Sequence, residues 1–105
     1  MKAKIKVIIK RPDEQYGHVT HISHTLKNLQ NTVDGYIETV PVVKDTIMIC
    51  NEEGKILNLP FNMRLYGDAI HGTIIICGVD GEDFADVPIS LSIWKGIVDR
   101  MENML

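Results

Sequence analysis

The chain has 105 residues, a formal net charge of −3, 45% hydrophobic residues and 24% charged residues. That size holds one hydrophobic core, so a single domain over residues 1–105 is expected, and the composition excludes disorder, collagen-like repeats and a disulfide scaffold. The sparse basic series Lys2, Lys4, Lys6, Lys10 and Arg11 provides no dense phosphate-neutralising face, which argues against nucleic acid as a partner.

Lysine at every second position near the start leaves no apolar stretch for a secretory leader, and the longest apolar runs are strand-sized rather than membrane-sized. The expected setting is therefore the cytoplasm, without membrane contact. Cys50 and Cys77 each close an apolar run, lack zinc or redox spacing, and read as reduced core residues.

In chain order, Lys4–Lys10 is rich in β-branched residues and stops at Arg11-Pro12-Asp13, which predicts a strand and a turn. Its lysines alternate with Ala3, Ile5 and Val7 and are expected on the solvent face. Tyr16–Ile22 predicts a returning strand. Ser23 is placed to cap a helix through Val33, with Leu26, Leu29 and Val33 on one face and Gly35 as the stop.

Tyr36–Val40 and Asp45–Cys50 predict a hairpin joined by Pro41–Lys44. Asn51-Glu52-Glu53-Gly54 reads as a tight turn with a left-handed Gly54, after which Lys55-Ile56-Leu57 pairs back briefly. Asn58–Asp68 has no clear period and predicts a surface loop. His71–Val79 predicts a central strand buried on both faces, turned by Asp80–Asp83. From Ser90 to Leu105, Ile93, Trp94, Ile97, Val98, Met101, Met104 and Leu105 trace a helical stripe interrupted by Gly96. The elements sum to an α+β fold, a mostly antiparallel sheet of roughly four to six strands with two helices packed on it.

Chemistry-bearing patterns are sparse. His18, His21 and His24 recur at every third position, but a strand to Ile22 sends His18 and His21 to opposite faces, so no metal site is expected. No nucleophile elbow, phosphate loop or dinucleotide fingerprint occurs, and Ser23 reads as a cap. The carboxylates Glu52/Glu53 and Asp80/Glu82/Asp83 fall in predicted turns. No catalytic residue and no cofactor is assigned. The chain is expected to bind rather than to turn over a substrate.

The stretch Asn51–Arg64 gathers amides, charges and rings. With Tyr36, the residues Asn51, Glu52, Asn58, Pro60, Asn62 and Arg64 form the candidate ligand site, because amides read ring edges, Arg pairs with phosphate or carboxylate, and an aromatic can stack. The same inventory suits a protein interface. It also suits a loop that closes over its own core.

At Tyr36–Val40, Ile49-Cys-Asn-Glu-Glu-Gly-Lys55, Leu59-Pro-Phe-Asn62 and Gly72-Thr to Gly78-Val-Asp-Gly-Glu-Asp-Phe84, the chain resembles a domain-of-unknown-function family of small phage and mobile-element proteins from Gram-positive bacteria. The resemblance covers Leu26–Phe84 and departs at Pro60-Phe61-Asn62, where a second proline is usual. It implies a setting in which short accessory proteins counter host defence. The first expectation is a homo-oligomer, assembled through Met101–Leu105, that sequesters a small nucleotide-like immune signal. The second is an inhibitor that binds a host defence nuclease or restriction complex directly, with Glu52, Glu53, Asp80, Glu82 and Asp83 facing a basic DNA channel. A third is a small hydrolase or lyase using His18, His21 and His24.

Overall fold

A computed structural model describes residues 3–104. The elements run β1 (Lys4–Lys10), β2 (His18–Ser23), α1 (Leu26–Val33), β3 (Ile37–Val43), β4 (Thr46–Asn51), β5 (Phe61–Leu65), β6 (Asp68–His71), β7 (Ile74–Asp80), β8 (Asp83–Ala85) and α2 (Leu91–Glu102). Every pairing is antiparallel, and the main sheet has the order β2-β1-β7-β4-β3, with β8 on β7; β5 and β6 form a separate hairpin. This is the expected α+β architecture.

The period-2 alternation of the strands builds two cores, one on each face of the sheet. Ile5, Val7, Ile9, Ile49, Ile75 and Cys77 meet Leu29 and Val33 of α1 on one face. Ile8, Met48, Cys50, Ile74 and Ile76 meet Trp94, Ile97, Val98 and Met101 of α2, together with Met63, Leu65 and Ile70 of the β5–β6 hairpin, on the other. The helices therefore lie on opposite faces. β7 is the middle strand, and its run from Ile74 to Cys77 is fully buried, as a strand covered on both sides requires.

Several local expectations are corrected. Thr25, not Ser23, caps α1, because strand pairing holds Ser23 opposite Lys4 and leaves the Thr25 hydroxyl to accept from Asn28 N–H at 3.1 Å. The left-handed residue at the end of α1 is Asp34 (φ 64°) rather than Gly35. Gly35 is glycine for another reason: a Cβ there would lie 2.8 Å from Asn51 Nδ2. Pro41 sits inside β3, where an edge strand tolerates a missing N–H, and the hairpin turn is Lys44–Asp45 with Asp45 at φ 58°. The Asn58–Asp68 segment contains β5 and the start of β6, joined by Tyr66 and Gly67, both at positive φ. The helix ends at Glu102; Lys2 and Leu105 lie outside the described residues.

Lys10 is also corrected, from solvent face to interior. It points to the α2 face, where it is buried, and its Nζ donates to Asn62 Oδ1 at 2.8 Å. The Asn62 amide returns bonds to the carbonyls of Lys10 and Gly72, both at 2.9 Å. Burial holds the Lys10 ammonium below its ordinary range, with Glu102, Glu14 and Asp13 acting against the shift.

α2 is anchored from the β1–β2 connection. Trp94 Nε1 donates to the Tyr16 carbonyl at 2.8 Å, and Tyr16 Oη donates to Asp99 at 2.7 Å. The helix runs unbroken through Gly96, where an added Cβ meets no atom within 4 Å. Gly96→Ala is therefore expected to raise stability by about 0.5–1 kcal/mol, measured by urea unfolding.

Cys50 and Cys77 belong to cores on opposite faces of the sheet, and burial pushes their thiols up to about 11 and about 12. Both are expected to stay unreactive toward an aromatic disulfide reagent at pH 8 in the folded chain and to react together on unfolding. A raised thiol pKa contributes stability below the unfolded value near 9, which is lost as pH rises toward the folded values.

Candidate functional site

The sequence around Asn51 converges at one end of the sheet. Buried Asn51 donates from Nδ2 to the Val33 carbonyl at 3.0 Å and accepts from Glu53 N–H at 2.7 Å, so a single amide ties the end of α1 to the turn after β4. Glu52 N–H donates to the Tyr36 carbonyl at 2.9 Å, which continues the β3–β4 ladder by one residue.

The turn then runs from Glu52 to Asn58 without a returning strand. Its own bonds hold it: Leu57 N–H to Glu53 O, Asn58 N–H to Lys55 O and Leu59 N–H to Gly54 O, with Asn58 taking the positive φ expected of Gly54. Gly54 serves close approach instead, because a Cβ there would stand 2.7 Å from the His71 carbonyl. This helix-like turn is why Lys55-Ile56-Leu57 does not pair back. It aims Ile56 and Leu57 outward at 81% and 53% exposure, beside Tyr36 at 67%.

Two depressions flank the turn. One, of about 230 Å³, is lined by Glu38, Glu52, Glu53, Lys55, Asp68 and His71 among others. The second, of about 420 Å³, is lined by Gln30, Asn31, Asp34, Tyr36, Glu53 and Leu57 among others. Asn51 and Glu53 contribute to both. The combined rim carries the carboxylates of Asp34, Glu38, Glu52, Glu53 and Asp68 against the single ammonium of Lys55, which itself lies 3.0 Å from Asp68. His71 Nδ1 lies 2.9 Å from the Leu59 carbonyl, which can only accept, so that nitrogen donates the bond.

Of the seven residues expected to form one site, Tyr36, Asn51 and Glu52 do come together. Asn58 and Pro60 are exposed on the connection into β5. Asn62 and Arg64 lie on β5, where they line a different depression of about 230 Å³ with Phe61, Met63 and Glu102. The polar atoms of the Asn51 and Asn62 side chains are engaged inside the protein, as described above. Ile56, Leu57, Asp34 and His71 were missed, while Glu53 was expected only on an acidic face toward a protein partner; the available signal was a pair of consecutive aliphatic residues between a turn and a proline.

Among the described residues no group of three or more His, Cys, Asp or Glu is placed to hold a metal ion. No helix among the described residues is long and apolar enough to cross a membrane. Residues 5–97 match a family described as a domain of unknown function (DUF3846), a longer match than the Leu26–Phe84 stretch that carries the resemblance. No curated protein and no solved structure matches the chain.

Proposed function

We propose, for a chain that belongs to the DUF3846 family, a domain of unknown function, a role as a binding module that occupies a basic surface of a partner protein. The observation that carries this reading is the pairing of exposed Ile56 and Leu57 with a rim rich in carboxylates. Exposed aliphatic residues supply the desolvated centre of an interface, and the surrounding charge steers and orients a partner of opposite sign.

In a phage or mobile-element setting, inside the host cell cytoplasm, the fitting partner is a host defence nuclease or restriction complex. Its DNA channel offers the basic surface this rim complements. Neither buried thiol is suited to nucleophilic attack, which supports binding over turnover.

Sequestration of a small nucleotide-like immune signal is the second reading. It draws on the Tyr36 ring and the Gln30 and Asn31 amides beside the larger depression. The phosphates of such a ligand would face carboxylates there, which is why this reading comes second.

Native mass spectrometry after exposure to a pool of nucleotide signals separates the two. No added mass is expected; a retained nucleotide mass would favour sequestration. For the protein partner, capture from host lysate is expected to weaken several-fold between about 50 mM and 500 mM salt, and capture indifferent to salt would contradict a charge-steered contact.

A further inference from the structure

We propose that the free edge of β3 pairs with the β3 edge of a second copy of this chain, antiparallel and centred on Thr39. Among the described residues β3 is the last strand of the main sheet, with β4 on one side only. The bond from Glu52 N–H to Tyr36 O fixes which backbone groups face β4. Because successive residues of a strand alternate, Glu38 and Val40 also face β4, and Ile37, Thr39 and Pro41 turn outward. Pro41, which has no N–H, falls on the outward side, where its loss breaks no bond within the chain.

The outward groups are self-complementary about a two-fold axis at Thr39. Each Thr39 N–H donates to the C=O of the second Thr39, and each Ile37 N–H donates to the Pro41 carbonyl of the other copy. Pro41 then limits the contact to this short segment, giving a closed pair rather than an extending one. The strand carries one charged residue, Glu38, and this register sets it opposite Val40 of the second copy, so no like charges face each other. The same register brings Tyr36, 67% exposed, toward the Val42–Val43 step of the other copy, where Val43 is 40% exposed. Antiparallel pairing also places the two α1 helices at opposite ends of the joined sheet, clear of each other. The groups that pair belong to β3 and do not include Ile56 or Leu57, so the variants that test this contact differ from those that test the partner reading above.

The test uses the purified chain alone, by sedimentation velocity and native mass spectrometry. The wild-type chain is expected to dimerise. Thr39→Glu sets like charges directly opposite and is expected to weaken the dimer by about tenfold or more. Thr39 is exposed, so the fold should survive, which far-UV circular dichroism checks. Mixing Thr39→Glu with Thr39→Lys chains is expected to restore a heterodimer, a rescue that damage to the fold would not produce. Amide exchange at Ile37 and Thr39 is expected to slow as wild-type concentration rises. A wild-type chain that stays monomeric at about 100 µM, or a dimer that Thr39→Glu leaves intact, would overturn the proposal.

Discussion

Replacing Asn62 with alanine is expected to lower folding stability by about 3 kcal/mol at pH 7, measured by urea unfolding. The side chain makes three bonds at once, and its loss leaves the buried Lys10 ammonium without Oδ1 and removes a donor from the carbonyls of Lys10 and Gly72. The cost should depend on pH. Burial lowers the folded pKa of Lys10 below 10.5, so on raising the pH the folded chain releases this proton before the unfolded chain does. Over that window the unfolded state binds more protons, and the contribution of Lys10 to stability rises with pH. The Asn62→Ala variant carries the larger burial penalty and gains more from its release. The gap between wild type and variant should therefore narrow between pH 7 and pH 10, with the contributions of Cys50 and Cys77 cancelling in the comparison. A gap that widens would place the charged lysine elsewhere.

Trp94→Ala is expected to cost about 4 kcal/mol or more. Trp94 is fully buried in the core between α2 and the sheet, and its indole N–H holds the Tyr16 carbonyl. The variant loses packing area and leaves a cavity, and it also removes one of the two hydrogen bonds that tie Tyr16 to the helix. Trp94→Phe fills much of the cavity but cannot donate, and should recover more than half of the loss. Recovery of none would mean that the hydrogen bond, rather than the packing, dominates.

The elements legible in the sequence were those with a clean period. β1, the middle strand β7 and α2 follow from runs such as Ile74-Ile75-Ile76-Cys77 and from the Trp94, Ile97, Val98, Met101 stripe, because burial on a regular element leaves a regular trace. The β5–β6 hairpin was hidden. Its turn uses Tyr66-Gly67 instead of the Asn-Gly that marks such turns, and β5 buries adjacent residues Asn62 and Met63 across a bulge, which breaks the alternation.

The candidate site divided in a similar way. Tyr36, Asn51 and Glu52 were legible as one group because the β3–β4 hairpin keeps sequence neighbours together in space. Asn62 and Arg64 looked like members because amides and guanidinium suit a ligand, but only tertiary contacts reveal that Asn62 serves Lys10, 52 positions away. Lys10 itself continued the exposed lysine series in the sequence. Lys10 shares its strand face with exposed Lys4 and Lys6 as well as with buried Ile8, so alternation alone could not tell that β5 covers this end of the face.

The most direct measurement is comparative capture from host lysate on immobilised wild-type chain, the Ile56→Asp/Leu57→Asp variant and the charge-reversed Glu52→Lys/Glu53→Lys variant. All three should fold, since the four side chains are exposed. The expected result is one discrete set of partners with nucleic-acid-binding surfaces, retained by the wild-type chain and lost from both variants. Capture that survives both changes would contradict the assignment of binding to this acid-rimmed apolar turn.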